Sequence, residues 1–291
     1  MQSDAMGMTQ NLDDGAHDLV AEEEVATRRE GFLRESGPFY RYGLPLIGLA
    51  LVAGAWEIVG RFVVTDRLLF APMSSTFAEL YHLIVSGAIG PDLAASGKEF
   101  IIGYLIAAVL GLALGALFAM SSVISRMMGA VVQAGYATPL IAIAPVIIVL
   151  FGIGIESKVI VVAAMAIFPI LIGTEGALRW VNPEYRDTAR AFGANRWQSL
   201  YRVVFPAAAP GVMTGLRLGV GRGIIGVVVA EFFGSSQGLG FLLLNDSNEF
   251  LATQVLAVVV LLAFIGIATN SLLLILETKL SPWNRHGSGQ R

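Results

Sequence analysis

Side chains with the chemistry to bind or react are sparse in this chain, and they fall in two places. The first is the polar run 182–206, NPEYRDTARAFGANRWQSLYRVVFP, where Asp187, Arg190 and Arg196 stand beside Tyr185 and Trp197. A polar connector of this length in a chain otherwise suited to lipid is usually functional. The second is a set of four ionisable residues inside apolar stretches, Glu57, Arg217, Arg222 and Glu231. An ionisable group at membrane depth is expensive, so it is either paired or acts on a charged solute. Catalysis fits poorly. His17, His82 and His286 are scattered, and the absence of cysteine removes thiolate metal sites and thiol nucleophiles together.

The polar run carries its own helix signals. Asn182 can cap a helix with Pro183 at its first position, Gly193 can stop it, and Asn195 can cap a second helix. Tyr185, Ala189 and Phe192 then share one face of the first helix, and Trp197, Leu200, Tyr201 and Val204 one face of the second. Arg186, Arg190, Gln198 and Arg202 take the opposite faces. Two short amphipathic helices joined at a glycine are expected. A surface-lying loop helix is the plain alternative to a functional one.

The rest of the chain must position these groups, and its composition says how. Of 291 residues 55% are hydrophobic and 14% charged, against roughly 25% charged in an average soluble domain. An all-α, polytopic membrane protein follows, with spans expected near 42–60, 98–120, 127–151, 157–178, 210–233 and 252–276. Residues 1–41 read as a polar tail rather than a cleaved signal, 42–283 as the transmembrane domain and 284–291 as a second tail. The stretch 62–97, broken by Gly87, Gly90 and Pro91, reads as a loop with one amphipathic helix near 75–86. Glu57 and Arg61 are an i, i+4 pair at the end of the first span.

Inside the spans, small residues and prolines stand out. Gly111 and Gly115 offer a face for close helix packing. Pro139 and Pro145 each remove a backbone donor from the third span, which in lipid is tolerated only where the freed carbonyls face protein or a water-lined cavity. Both prolines are candidate pathway residues. Gly211, Gly215, Gly219 and Gly223 leave one ridge of the fifth span nearly without side chains, for packing within the chain or for contact with a second copy. Arg222 lies about 18 Å along that span from Pro210. It either attracts an oxyanion in the pathway or satisfies carbonyls freed near Pro139 or Pro145. Glu231, about half a turn round the helix from Arg222, is expected at an outer gate or interface.

Charge orients the topology. With both termini in the cytosol, the outside receives only Arg61, Arg67, Lys98 and Lys158, while the inside receives Arg126, Arg179, Arg186, Arg190, Arg196, Arg202, Lys279 and the arginines of both tails. This is the asymmetry of the positive-inside rule, and it puts the polar run in the cytosol. The net charge is −3, the acidic residues crowd the first 35 positions, and no nucleic-acid footprint results.

These residues carry a family resemblance. Asp187-Thr188-Ala189-Arg190-Ala191-Phe192-Gly193-Ala194, followed by Arg196-Trp197 and Val203-Val204-Phe205-Pro206, resembles the EAA loop of ABC importer permeases. That loop has the pattern E-A-A-x-x-x-G with an I-x-L-P ending. Asp187, Thr188 and Phe205 depart from it, the first with its charge kept. The segments 139–154 (PLIAIAPVIIVLFGIG), Gly215-Leu216-Arg217, Ala230-Glu231 and Gly238-Leu239-Gly240 are similar to permeases of the nitrate, sulfonate and taurine group. The resemblance covers about 40–283. It implies the six-helix permease fold of type I importers in the inner membrane, a homodimer, two ABC ATPase subunits on the cytosolic side and an extracytoplasmic substrate-binding protein. It also implies an ATPase-coupling role for Tyr185, Asp187, Ala189, Arg190, Gly193, Arg196, Trp197 and Pro206, and inward movement of a small anionic solute of sulfonate, taurine or nitrate type. The group also handles some aromatic and heterocyclic solutes. No G-x-x-x-x-G-K-[ST] loop occurs here, so the chain is expected to be no enzyme and to hold no cofactor, with ATP and magnesium on the partner. An ion- or proton-coupled carrier or channel is the rival reading.

Overall fold

The computed structural model describes residues 40, 43–64, 66 and 68–280. Apart from Tyr40, the expected tails 1–41 and 284–291 lie outside the described residues. Every regular element among the described residues is a helix. The chain divides into two units, 1–65 and 66–291. In the first, α1 (Leu44–Ile58) starts with Pro45 in its opening turn, where a missing N–H costs no hydrogen bond. It continues through a π-helical turn, Val59–Val63, and the whole is apolar and long enough to cross a membrane. Glu57 and Arg61 form the expected ion pair at its end.

The second unit begins with α2 (Met73–Val85), whose first turn is tied to the Pro72 carbonyl by the hydroxyls of Ser75 at 2.9 Å and Thr76 at 3.1 Å. Next, α3 runs from Gly90 to Met120 and so begins eight residues before the expected span. Gly90 and Pro91 do not break structure here. They open it, because proline in a first turn lacks only a donor that has no intrahelical partner.

The expected third span is two helices, α4 (Ser122–Ala137) and α5 (Leu140–Phe151), bent by 92°. Thr138 and Pro139 make the break. A residue before proline is pushed out of the helical region, and Thr138 has an extended φ of −66° and ψ of 134°. Pro145 stays inside α5. Helix α6 (Ile155–Arg179) follows the expected span closely. Then come α7 (Pro183–Ala191) and α8 (Arg196–Ser199), a π-helical turn Leu200–Val204, α9 (Phe205–Gly234), α10 (Leu239–Asn248) and α11 (Ala252–Leu280). Among the described residues five helices are long and apolar enough to span a membrane, and six when the bent pair counts as one.

Helix α6 is the axis of the second unit, with Val161, Val162, Ala166, Ile170 and Leu178 all buried. Helices α3 and α9 close on it through small residues. A Cβ at Gly103, Gly111 or Gly115 of α3 would meet Val162, Ile170 or Thr174 at 2.6–2.8 Å. On α9, Gly211 lies against Ala177, Gly219 against Ile170, and a Cβ at Gly215 would stand 3.2 Å from the Gly173 Cα. The glycine ridge of α9 is therefore used within the chain, where near contact of backbones replaces side-chain interdigitation. A stripe along the flank of that ridge, with Thr214, Leu218, Gly221, Arg222 and Ile225, is exposed among the described residues.

Candidate functional site

At one end of the α6 and α9 pair the polar run folds as a hairpin. The Asn182 side chain accepts from the Glu184 N–H at 3.0 Å, and Pro183 occupies the first turn of α7. Gly193 has φ +79°, the left-handed conformation that lets α7 end and reverse. Asn195 and Gln198 then form a reciprocal capping box at 2.8 and 2.9 Å. All three local signals are where the sequence puts them. The second helix is not separate, however. Through the π turn it runs into α9 as one 39-residue helix, Arg196–Gly234, with Pro206 and Pro210 inside its path. Pro206 cannot donate to the Arg202 carbonyl, and the wider turn just before it absorbs that missing bond.

The hairpin's apolar positions divide by use. Ala189, Val204 and the half-buried Leu200 pack inward, Val204 in a cluster with Leu178, Val181, Ala208 and Val212. Phe192 (88% exposed), Trp197 (70%) and Tyr201 (77%) point away, with Tyr185 about half exposed. Trp180, outside the expected segment, is as open as Phe192. A cleft of about 740 Å³ runs between the two helices past Tyr185, Phe192, Gly193, Gln198 and Arg202. Asp187 and Arg190 pair with each other at 3.5 Å on the surface, and Arg186 donates to the Leu178 carbonyl at 2.7 Å, fastening α7 to the end of α6. Arg190 and Arg196 line a second cleft of about 320 Å³ beside Met120.

The other end holds a buried polar cluster that sequence reasoning missed. Asp92, Ser96 and Glu99 lie on one face of α3 at i, i+4, i+7. Lys158, read from the sequence as an exposed charge, is buried and donates to Glu99 at 2.7 Å and to the Ser235 hydroxyl at 2.7 Å. Three consecutive N–H groups at the start of α10 are taken by side chains: Gly238 by Asp92 at 2.8 Å, Leu239 by Ser96 at 2.8 Å, and Gly240 by Glu231 at 2.6 Å. Ser96 donates to the other Glu231 oxygen at 2.6 Å. Gly238 has φ +122°, and a Cβ there would collide with the Glu231 carboxylate. Glu231 thus anchors the turn between α9 and α10. Nearby Asp246 on α10 is buried, with Oδ2 unpartnered. Burial first, and then the charges of Glu249, Asp92 and Glu79, push its carboxyl up to about 6.

Between the two ends, the candidate pathway residues separate. Arg217 is neutralised by Glu277 of α11 at 2.9 Å. Arg222 lies on the open face of α9 with its guanidinium 5.6 Å from the centre of the Tyr136 ring. Tyr136 is in the last turn of α4, three residues before Pro139, so Arg222 and the helix break are neighbours. Among the described residues Arg222 has neither an acidic partner nor a bond to the carbonyls near Pro139 or Pro145. Pro145 is half-buried in α5, next to Ala144, which packs in a cluster with Val161, Met165, Val229 and Ala230. Glu231 belongs to the buried cluster.

Known proteins share this architecture. The sequence profile described as binding-protein-dependent transport system inner membrane component matches residues 107–286. A Bacillus subtilis protein assigned as the aliphatic sulfonates transport permease SsuC is 32% identical over 244 residues, 82% of this chain and 87% of that one. The Escherichia coli taurine transport system permease protein TauC is 28% identical over 279 residues, 94% and 99% of the two chains. A chain of the inward-facing MetNI methionine ABC transporter superposes with a TM-score of 0.57 at 20% identity, covering 65% of this chain and 94% of that chain.

Proposed function

The chain belongs to the family of binding-protein-dependent transport system inner membrane components, and from that premise we propose which of its parts carry which role. It is the permease subunit of an ABC importer, a multi-pass protein of the inner membrane that works with ATPase subunits and a substrate-binding protein. ATP hydrolysis is the work of the separate ATPase, and the rival reading of a proton-coupled carrier or channel falls with the family membership.

We assign the hairpin 182–206 to coupling. One observation carries this: Phe192, Trp197 and Tyr201 are exposed at the tip of an element whose second helix is continuous with the membrane helix α9. Tyr185, Asp187, Arg190, Arg196 and Trp197 supply the contacting surface, while Ala189, Gly193 and Pro206 shape it from within. ATP and magnesium stay on the partner, and this chain brings no cofactor. Two copies pair, both termini lie in the cytosol as the basic residues around the hairpin favour, and the Glu231 cluster lies at the outer end. The solute is a small anion of sulfonate, taurine or nitrate type, as the names of SsuC and TauC support.

The test uses Gly193→Val and Asp187→Arg in the assembled importer in liposomes. Valine at φ +79° is strained by about 1–3 kcal/mol and re-aims the hairpin. Both variants should insert and still hydrolyse ATP while solute uptake is lost. Normal uptake in both refutes the coupling assignment.

A further inference from the structure

The open face of α9 sets one cation where a membrane protein can hold it only for a reason. Arg222 is midway between Pro210 and Gly234, about 18 Å from each. The neighbouring ridge, Gly215, Gly219, Gly223 and Gly226, is buried against α6 and α3, and Arg222 is exposed on its flank. Lys158 and Arg217 have acid partners at 2.7 and 2.9 Å, and Arg222 has none among the described residues. What holds it is the Tyr136 ring. A cation over an aromatic face is attracted by the ring quadrupole. Because the guanidinium donors lie in its own plane, that contact leaves the N–H fork free at the edge. The fork matches the geometry of a carboxylate, sulfonate or nitrate, which accept paired hydrogen bonds. A bare guanidinium on this face cannot rest in lipid, so the face borders water or a second copy.

We propose that Arg222, steadied by Tyr136, is the mid-membrane recognition group for the oxyanion of the transported solute. This rests on the pairing of two permeases proposed above. An isologous pair brings two Arg222 and Tyr136 sets to opposite sides of one axis, and an anion between them relieves the repulsion of two like charges. The site would then select for a negatively charged group and be indifferent to the rest of the solute. That sorts anionic solutes from uncharged ones before the inner end of the pathway is reached.

The chain has no cysteine, so single cysteines can be placed without background. Ile225→Cys and Leu218→Cys lie one turn to either side of Arg222 on the same exposed stripe. Each is made in the complete importer in liposomes, with Arg222 and with Arg222→Gln. The probes are the anionic reagent 2-sulfonatoethyl methanethiosulfonate and its cationic trimethylammonioethyl counterpart. With Arg222 present the anionic reagent should react faster than the cationic one by about tenfold, as focused fields concentrate counter-ions in a cleft. Free methanesulfonate should slow it. With Arg222→Gln both the preference and the protection should vanish. Failure of either reagent to reach both positions, or a rate ratio unchanged by Arg222→Gln, overturns the proposal. Co-elution of the ATPase is read on the same preparations. Its loss would sink the importer assignment, while the labelling ratio still reports on Arg222.

Discussion

Replacing Trp197 with alanine separates docking from folding. An indole buries about 200 Å² when fully covered, and at about 25 cal/mol per Å² this is roughly 5 kcal/mol. In the lone chain 70% of Trp197 is open, so complete burial by a partner has about 3.5 kcal/mol still to gain, a ceiling near 300-fold in affinity. Alanine scans place the largest losses at such aromatic anchors. The assay is a titration of detergent-solubilised permease against its ATPase subunit, with the thermal midpoint of the permease measured alongside. Trp197→Ala should weaken binding by at least tenfold and move the midpoint little. Val204→Ala is the opposite control. Val204 is 2% exposed among Leu178, Val181, Ala208 and Val212, and loss of two methyl groups should cost the fold roughly 2 kcal/mol with affinity preserved. If Trp197→Ala binds the ATPase within about twofold of the wild type, the exposed aromatics are not the docking surface.

Gly215→Leu should abolish the folded yield, because its Cβ alone would stand 3.2 Å from the Gly173 Cα and 3.3–3.4 Å from two carbonyl oxygens of α6; size-exclusion of the detergent-extracted protein checks this. Lys158→Met strands Glu99 in a buried site and should destabilise by about 3–5 kcal/mol, whereas adding Glu99→Gln should restore much of the thermal midpoint. Burial pushes the Asp246 carboxyl up to about 6 in the folded protein, above the ordinary carboxylate range. Its ionised form is therefore disfavoured in the folded state, and the penalty is absent below about pH 4, grows through pH 6 and is complete above it. Asp246→Asn should accordingly stabilise the protein by up to roughly 3 kcal/mol at pH 7.5 and by nothing at pH 3.5, as read from thermal midpoints at the two values.

What the sequence reveals follows the range of the interaction. The caps at Asn182 and Asn195 and the reversal at Gly193 are settled within four residues of themselves, and each is found as expected. Spans chosen by hydropathy are also right in number once α4 and α5 count together. The errors lie where a proline has two meanings. Pro91 opens α3, Pro139 turns the chain by 92°, and Pro206 is carried inside a continuous helix behind a π turn. Nothing local distinguishes these, since the outcome depends on which neighbour accepts the orphaned carbonyl. The Lys158 and Glu99 pair is 59 residues apart in sequence. Only the packing of α3 on α6 brings those residues together, so a count of charges by side of the membrane places Lys158 in solvent. The i, i+4, i+7 spacing of Asp92, Ser96 and Glu99 carries the signal of a shared helix face, but Gly90 and Pro91 mark the same stretch as a loop.

One helix joins the proposed coupling surface to the proposed solute contact. From Arg196 to Arg222 is 26 steps, about 39 Å of rise, interrupted only by the π turn and by Pro206 and Pro210. Beyond those prolines α9 is locked to α6 by glycine contacts from Gly211 to Gly226, and its far end is tied through Glu231 to the start of α10. The hydrogen-bond ladder is therefore weakest between Leu200 and Pro210, where two N–H donors are missing and the turn is wide. A push on Trp197 meets a compliant joint first and a stiff rod after it. In a paired permease the rod carries the Arg222 face, so a change of tilt at the joint alters the distance between the two guanidiniums. That distance decides whether an oxyanion is held by both forks or by one.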